Sequence, residues 1–189
     1  MRIISGNLRG KKILQPKDKY TRPLKDLTKE SIFNIIEHSN LFNVKIEKSN
    51  ILDLFSGVGS FGLECLSRGS LSVTFVENYS NTLDLLKKNI LNNNFRKKSK
   101  IIEKNIFKDK TLENMKEKFN IIFMDPPYKE QKFPELVEKI IDLNLLEKNG
   151  IFIIHRHKKN EEKYTKKFNI LIKKNYGISK IIFGNKKLY

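Results

Sequence analysis

Apolar runs alternate with stretches of helical periodicity along most of the chain from residue 50 onward. Strand candidates are the short apolar runs at 51–55, 72–76, 100–103, 120–124 and 150–155. Helical spacing of apolar residues marks the stretches at 59–67, 81–92, 111–118 and 134–142. Several of the strands are apolar on both faces, which is typical of strands covered by helices on two sides. The pattern therefore predicts an α/β fold built on a largely parallel sheet.

The two ends of the chain follow other patterns. Residues 2–5 and 11–14 are β-prone runs joined through Gly6 and Gly10, which predicts a small hairpin, and residues 25–39 predict a helix after it. At the other end, residues 168–173 and 178–183 flank a turn-like segment and predict a terminal antiparallel hairpin. With 189 residues and no linker, the chain reads as a single domain. We divide it into an N-terminal extension, residues 1–40, and a core, residues 50–189.

The charge of the chain points to a polyanionic partner. It carries 38 Lys and Arg against 21 Asp and Glu, a net charge of +17. Such an excess of cations is typical of proteins that bind nucleic acid. A merely basic enzyme with a lysine-rich composition is the alternative.

Other classes are excluded by what the composition lacks. One cysteine, Cys65, rules out a disulfide framework and a Cys-rich zinc site. His155 and His157 alternate at the end of a predicted strand, but two histidines without a third ligand make a poor metal site, so we expect no metal. No apolar run approaches the roughly 18 residues of a membrane span, and the first residues do not begin a signal peptide. We therefore expect a cytoplasmic protein, without membrane association and monomeric.

A glycine-rich loop follows the first strand of the predicted core. Gly57, Gly59 and Gly62 give the spacing G-x-G-x-x-G, and Glu77 lies 20 residues after Gly57 at the end of the next strand. This arrangement suits a nucleotide-bearing ligand whose ribose hydroxyls meet a carboxylate, and it fits NAD and S-adenosylmethionine alike. Asp53 separates the two, because a carboxylate beside the loop repels a pyrophosphate and attracts an ammonium or sulfonium. The sequence thus favours S-adenosylmethionine.

The fourth predicted strand runs directly into Asp125, Pro126, Pro127 and Tyr128. The two prolines fix φ and remove backbone donors, so the turn is stiff and its carbonyls are available as acceptors. Acceptors on both hydrogens of an exocyclic amine, from the Asp125 carboxylate and the Pro126 carbonyl, would turn the nitrogen lone pair outward. Tyr128 would stack on the base, as aromatic residues do for flipped bases. We therefore predict that these four residues form the catalytic site.

These motifs resemble the class I S-adenosylmethionine-dependent amino-methyltransferases. The N-terminal extension and the start of the core narrow the resemblance to the bacterial family that methylates guanine N2 in 16S ribosomal RNA. The segments that carry it are Arg2-Ile3-Ile4-Ser5-Gly6, Arg9-Gly10-Lys11-Lys12, Arg22-Pro23, Asp26, Lys29-Glu30-Ser31-Ile32-Phe33-Asn34, Gly62-Leu63-Glu64 and Leu66-Ser67-Arg68-Gly69. The resemblance spans nearly the whole chain.

Membership of that family implies a Rossmann-like fold with a seven-stranded mixed sheet, helices on both faces, and the reversed strand in the last hairpin. It also implies a cofactor site in which Asp53 and the glycines meet the methionine part, Glu77 the ribose, and Asn105 and Ile106 the adenine. The full set of implied cofactor residues is Asp53, Ser56, Gly57, Gly59, Glu77, Asn78, Asn105 and Ile106. The implied partner is 16S rRNA in the small ribosomal subunit or its assembly intermediate.

Four basic residues of the extension are the RNA-binding candidates: Arg9, Lys11, Lys12 and Arg22. Only six of the 38 basic residues are arginine, and four of these lie in the motifs above. An arginine kept in a lysine-rich chain suggests a need for its planar fork, which pairs phosphates or carboxylates through two bonds. For Arg68 a buried ion pair that orients the extension is the stronger interpretation, and for Arg22 it is nearly as strong.

The chain departs from the family pattern at four positions. Leu24 and Lys25 stand where the family has small hydroxyl residues, and Leu27 stands where it commonly has Arg. Asn105 occupies a place where many methyltransferases carry Asp. The resemblance therefore says least about two contacts: that of the extension with RNA, and that of residue 105 with adenine.

Three other functions share part of these features. An adenine-N6 methyltransferase acting on DNA or RNA uses the same Asp-Pro-Pro-Tyr chemistry. An NAD-dependent oxidoreductase shares the glycine spacing. A basic RNA-binding or ribosome-assembly module, without enzymatic activity, accounts for the charge alone.

Overall fold

The structure is a computed structural model that describes residues 1–16 and 24–187. Its helices are α1 (Asp26–His38), α2 (Ser60–Ser67), α3 (Ser80–Asn92) and α4 (Phe133–Asp142), with a short 3-10 turn at Arg96–Lys98. Its strands are β1 (Asn50–Leu54), β2 (Ser72–Glu77), β3 (Ser99–Glu103), β4 (Phe119–Met124), β5 (Leu146–His157), β6 (Phe168–Tyr176) and β7 (Ser179–Lys186). Among these described residues, no helix is both long and apolar enough to cross a bilayer.

The seven strands form one mixed sheet in the order β3-β2-β1-β4-β5-β7-β6. Strands β1 to β5 pair in parallel, while β7 is antiparallel to both β5 and β6. The strand order reverses between β1 and β4, and ligands of open α/β sheets bind at such a switch point, beside the carboxyl ends of the strands. The predicted Rossmann-like fold, with its reversed strand in the terminal hairpin, is confirmed.

Two apolar cores cover the two faces of the sheet. Alternate residues of each strand belong to opposite cores, as Ile51 and Leu52 do on β1. On one face the sheet packs against α1, α2 and α3, and on the other against α4, whose buried residues recur every three or four positions. Helices therefore cover both faces, as predicted.

One predicted helix is wrong. Residues 111–114 form turns and residues 115–118 are irregular instead, although Leu112 and Met115 are buried in the second core. Their spacing of three matches a single turn, closed by a 3.1 Å hydrogen bond from the Met115 amide to the Leu112 carbonyl. Two apolar positions in a short charged segment do not offset the cost of helix nucleation. The buried pair therefore signalled core packing and not a helix.

The predicted boundaries differ from the structure at two further places. Strand β5 begins at Leu146, earlier than the predicted 150, and its pairing with β4 shifts register between Phe119 and Ile121. The N-terminal hairpin is reduced to one antiparallel bridge, between Arg2 and Lys12. Its two arms still exchange backbone hydrogen bonds, such as that from the Ile3 amide to the Lys11 carbonyl, while the amides of Ile4 and Ser5 bond to the core.

Glu64 of α2 fixes the N-terminal extension to the core. This buried carboxylate accepts hydrogen bonds from the amides of Ile4 (2.7 Å) and Ser5 (2.9 Å) and from Nε of Arg68 (2.9 Å). Lys29 of α1 lies 3.4 Å from Glu64 and donates to the Arg2 carbonyl at 2.7 Å. Burial lowers the pKa of Lys29, against the opposing effect of the Glu64 charge. Arg68 thus orients the extension through a buried ion pair, the interpretation preferred from the sequence.

A second contact brings the extension against the backbone of α2 at Gly6. Its φ is +80°, and a Cβ built there would stand 1.9 Å from the Ser67 carbonyl oxygen. Next to it, the Ser67 hydroxyl accepts from the Leu8 amide and donates to the Ser5 carbonyl. Only glycine fits this close approach of two backbones.

We expect Gly6→Ala to loosen the extension from the core. Gly10 is the matched control, because its φ is also positive (+86°) but a Cβ there would meet no described atom within 4 Å. Overpacking costs about 1–3 kcal/mol, so Gly6→Ala should lower the free energy of unfolding by that much more than Gly10→Ala does. Denaturant unfolding checks this, and amide exchange should quicken at Ile4 and Ser5 in Gly6→Ala alone. Equal effects of the two variants would contradict the close approach.

Candidate active site

A pocket of about 480 Å³ opens at the carboxyl ends of β1, β2 and β4. It brings together the glycine loop, the end of β2, the Asp-Pro-Pro-Tyr turn and the N-terminal extension. Its lining residues are Met1, Pro16, Leu24, Asp53, Phe55, Ser56, Gly57, Val58, Ser60, Phe61, Glu77, Asn78, Tyr79, Thr82, Phe123, Asp125, Pro126, Pro127 and Tyr128. The two motifs singled out in the sequence therefore share one cavity, because β1 and β4 are neighbours in the sheet.

Asp53 is the most deeply buried acid of the pocket, with 1% of its surface exposed. Its Oδ2 accepts a 3.0 Å hydrogen bond from the Gly62 amide, whereas its Oδ1 finds no hydrogen-bond partner among the described residues. Burial raises the pKa of the Asp53 carboxyl well above its usual range, and the charges of Asp125 and Glu77 raise it further. A buried acceptor without a partner is costly, so this oxygen is suited to a cationic donor supplied by a ligand.

The three glycines of the loop differ in the space around their Cα atoms. Gly57 has a φ of +54°, and a Cβ there would meet no described atom within 4 Å, so the backbone lies bare beside the pocket. At Gly59 and Gly62 a Cβ would stand 2.5 Å from Leu86 and 2.3 Å from Phe75, respectively. Gly57 therefore leaves room for a ligand, while the other two let the loop and α2 pack closely on α3 and β2.

Glu77 at the end of β2 orders the loop it faces. Its Oε2 accepts from the Gly57 amide at 2.6 Å, and its Oε1 accepts from the amides of Asn78 (2.8 Å) and Tyr79 (2.9 Å). The carboxylate is thus oriented at the rim of the pocket, at the end of β2 and facing the loop that follows β1. This position suits the ribose contact expected of it.

The Asp-Pro-Pro-Tyr turn closes the opposite side of the pocket. Asp125 stands at the end of β4, and its Oδ1 lies 2.8 Å from Nδ1 of His155 on β5. The Tyr128 hydroxyl lies 3.5 Å from the other nitrogen of the same imidazole. All four predicted catalytic residues line the pocket, and their catalytic role remains a prediction.

Arg156 holds this turn from behind. Its side chain is buried, and its terminal nitrogens donate to the carbonyls of Pro127 and Glu130, both at 2.9 Å, with longer contacts of 3.4 Å to Pro126 and Tyr128. Glu162 balances the charge through Nε of Arg156, and Lys180 lies 3.3 Å from Glu162. One guanidinium therefore fixes the course of the whole turn.

Of the remaining predicted cofactor residues, some line the pocket and others lie outside it. Ser56 and Asn78 line the pocket, but Asn105 and Ile106 are not among its described lining residues. Asn105 makes a local turn, in which its side-chain oxygen accepts from the Phe107 amide at 3.0 Å. Phe107 in turn contacts the pocket residue Phe55, with ring centroids 5.7 Å apart. The segment that carries Asn105 thus reaches the edge of the pocket, and its contact with adenine remains a prediction.

Among the predicted RNA-binding residues, Arg9 and Lys12 are exposed on the N-terminal extension. Lys11 is exposed as well, but its amino group donates to the Asn92 carbonyl at the end of α3, at 2.8 Å. Arg22 lies outside the described residues. RNA binding by these four residues remains a prediction.

Two buried residues beside the turn are not among the residues predicted from the sequence. His155 is considered there only as a metal ligand and Arg156 not at all, but the two are 3% and 1% exposed. The signal that could have found them is their place at the end of the strand next to the Asp-Pro-Pro-Tyr strand. Carboxyl ends of neighbouring parallel strands meet at one edge of the sheet, so residues 155 and 156 had to lie beside that turn.

The pocket fits S-adenosylmethionine on two independent observations. The unpartnered Oδ1 of Asp53 offers a buried acceptor for the ammonium of a methionine moiety. The bare backbone at Gly57 and the oriented carboxylate of Glu77 offer a place for a ribose. A pyrophosphate would instead meet the charges of Asp53, Glu77 and Asp125, so the fit to NAD is poor.

The fold and the pocket together define a class I S-adenosylmethionine-dependent methyltransferase. The chain belongs to the family described as conserved hypothetical protein 95, whose model matches residues 1–185. It is 34% identical over 163 residues to YlbH of Bacillus subtilis, covering 86% of this chain and 85% of that protein. It is 30% identical to the ribosomal RNA small subunit methyltransferase D of Buchnera aphidicola subsp. Baizongia pistaciae, covering 97% and 90% of the two chains.

Solved structures agree on the fold. The protein yhhF from Escherichia coli superposes with a TM-score of 0.80 at 22% identity, covering 99% of this chain and 98% of its own. At that identity the likeness concerns the fold alone. The family and the fold predicted from the sequence are confirmed.

We expect Asp53→Asn to weaken cofactor binding. The amide that replaces the carboxylate cannot supply a negative charge for the ammonium, and charged hydrogen bonds contribute about 1.5–3 kcal/mol. The dissociation constant measured by titration calorimetry should therefore rise roughly 10- to 100-fold. Asp84→Asn, on the exposed face of α3, makes the same chemical change away from the pocket and should leave the dissociation constant unchanged. An unaltered affinity in Asp53→Asn would contradict the assignment.

The raised pKa of Asp53 also predicts a pH dependence of that affinity. Lowering the pH protonates this buried carboxyl before an ordinary one, and a neutral acid attracts an ammonium weakly. Affinity should therefore rise with pH through the raised pKa, and binding should release protons below it. Calorimetry in buffers of different ionisation enthalpy measures that release. Asp53→Asn should abolish both effects, and a wild-type affinity that is flat with pH would contradict the prediction.

Proposed function

We propose that this protein transfers a methyl group from S-adenosylmethionine to the exocyclic N2 amine of a guanine in 16S ribosomal RNA. The observation that carries the proposal is the placement of Asp53 and Asp125 in one pocket, at the ends of the adjacent strands β1 and β4. One carboxylate is suited to the ammonium of the cofactor and the other to the amine of a base. The family relatives named ribosomal RNA small subunit methyltransferase D support the choice of RNA.

The bound cofactor supplies an electrophilic methyl group on a sulfonium. The residues of the chain prepare the amine that attacks it. Asp125 and the Pro126 carbonyl accept the two amine hydrogens, so that the nitrogen lone pair turns away from the conjugated ring. Arg156 keeps the backbone of the turn rigid, which fixes the Pro126 carbonyl before the base arrives, and such preorganisation is a main source of rate enhancement. The proton leaves the methylated nitrogen late, toward Asp125 or water.

The RNA approaches along the surface formed by the N-terminal extension. Met1, Pro16 and Leu24 of the extension line the pocket, so whatever binds the extension lies next to the reacting amine. Its exposed Arg9 and Lys12 are suited to phosphates, and Arg22 belongs to the same segment of the chain. We further propose that the protein works as a monomer in the cytoplasm, on the small subunit or its assembly intermediate.

Methyl transfer to unmethylated small subunits tests this function. The wild-type protein is incubated with a labelled methyl donor and with subunits lacking their methylations, and the product RNA is digested to nucleosides. The proposal predicts label in N2-methylguanosine at one position of 16S rRNA. Label in N6-methyladenosine would favour the adenine-N6 alternative, and cofactor binding without any label would favour a binding module.

A further inference from the structure

His155 occupies a position between two residues of the Asp-Pro-Pro-Tyr turn. It lies near the end of β5 with 3% of its surface exposed. Its Nδ1 is 2.8 Å from Oδ1 of Asp125, and its Nε2 is 3.5 Å from the hydroxyl of Tyr128. The rings of Tyr128 and His155 meet edge to face, with centroids 6.0 Å apart. One imidazole therefore touches both the group that accepts the amine hydrogen and the group that stacks on the base.

The contact to Asp125 fixes which nitrogen of His155 carries hydrogen. An ionised carboxylate is an acceptor only, so Nδ1 must donate in the 2.8 Å bond. In the neutral imidazole Nε2 is then an acceptor, and it faces the Tyr128 hydroxyl. Charge-assisted bonds of this kind are about twice as strong as neutral ones and restrict the rotation of the carboxylate. The remaining acceptor sites of Asp125 are thereby held in one orientation.

The neighbouring residue on the same strand shows that the whole turn is held from β5. Arg156 binds the turn carbonyls, but it contacts no side-chain atom of Asp125 or Tyr128 in the described hydrogen bonds. Its guanidinium therefore fixes the backbone of the turn and leaves the Asp125 carboxylate free to rotate about its side-chain bonds. The orientation of that carboxylate depends on His155.

We propose that His155 is a positioning residue for methyl transfer, which orients the Asp125 carboxylate toward the target amine. It also contacts the Tyr128 ring, which it holds together with His157, whose ring centroid lies 5.0 Å from that of Tyr128. His155 acts through Asp125 and Tyr128 and does not itself touch the reacting atoms. The proposal rests on the function proposed above, because it assumes that Asp125 receives an amine. Since misorientation of a positioned group by about 1 Å can cost 100-fold in rate, the effect should be large.

Two substitutions separate positioning from simple packing. The amide nitrogen of His155→Asn stands near the place of Nδ1 and can still donate to Asp125, whereas that of His155→Gln stands near the place of Nε2 and cannot. We expect His155→Asn to keep kcat within about threefold of wild type and His155→Gln to lower it roughly 100-fold. The KM for RNA and the cofactor affinity should change little in either, because the proposal concerns orientation and not binding. His38→Gln, at the exposed end of α1, is the matched control.

The outcomes decide the proposal in every case. Equal losses in both variants, or a full kcat in His155→Gln, would overturn it. If His155→Gln does not fold, nitrogen NMR of the His155 imidazole in the wild-type protein still tests the contact. The proposal requires hydrogen on Nδ1, and it requires the chemical shift of that nitrogen to change in Asp125→Asn. A ring with hydrogen on Nε2 and none on Nδ1 would overturn it. Should the wild-type protein methylate no nucleic acid, the proposed function fails, and this NMR measurement alone judges the role of His155.

Discussion

Asp125→Ala is expected to lose most methyl transfer while still binding the cofactor. The substitution removes the carboxylate that accepts an amine hydrogen at the end of β4, a contact that acts in the transition state. Loss of one such preorganised group lowers kcat by about 10²–10³-fold. The cofactor site survives, because Asp53, Gly57 and Glu77 lie on other segments. The charge of Asp125 is one of the causes that raise the pKa of Asp53, so its removal lowers that pKa and favours the ionised Asp53 carboxylate. Single-turnover transfer of labelled methyl measures the loss, and calorimetry measures the affinity.

Asp84→Ala serves as its control, because this exposed residue on α3 lies outside the pocket. It should match the wild type in both measurements. A fully active Asp125→Ala protein would show that the turn does not activate the amine. A loss of cofactor affinity as large as the loss of kcat would mean that Asp125 belongs to the cofactor site instead.

Arg156→Met is expected to destabilise the protein more than any surface change. The variant keeps most of the side-chain volume but removes the donors that bind Pro127 and Glu130 and the positive charge beside Glu162. Breaking a buried ion pair by removing one partner costs about 3–5 kcal/mol in the free energy of unfolding. Lys180, 3.3 Å from Glu162, offsets part of the charge but cannot reach all the turn carbonyls. Denaturant unfolding measures the loss.

The control for this prediction is Arg96→Met. Arg96 is exposed on the 3-10 turn before β3, so the same chemical change there should shift the free energy of unfolding by less than about 0.5 kcal/mol. If Arg156→Met folds, its Asp-Pro-Pro-Tyr turn should be less rigid, so both kcat and the free energy of unfolding should be lower than in the wild type. A variant as stable and active as the wild type would show that the turn needs no support from β5.

The sequence predicted the sheet and the site because both are local in the chain. Asp53 is the last residue but one of β1, Glu77 ends β2 and Asp125 directly follows β4, so the positions of these three acids could be predicted from the order of the strands. Parallel pairing then sets their strand ends side by side. For this reason the alternation that predicted the fold also predicted the pocket.

The features that the local sequence pattern does not show depend on contacts between distant segments. Arg156 and His155 belong to a run of basic residues that is typical of a solvated strand end, and only the pairing of β5 with β4 places them beside residues 125–128. Glu64 looks like an ordinary helical acid until the extension folds back onto α2. The segment 111–118 carries helical spacing, yet its burial requires only one turn. In each case the deciding partner lies far away in the chain.

The joint role of Asp53 and Asp125 is best tested by a crystal structure of the protein with S-adenosylmethionine and a guanosine-containing oligonucleotide. We expect the cofactor ammonium at hydrogen-bond distance, about 3 Å, from Oδ1 of Asp53, and the base amine between Asp125 and the Pro126 carbonyl, facing the sulfonium methyl. A cofactor bound elsewhere, or a methyl pointing away from the Asp-Pro-Pro-Tyr turn, would contradict it.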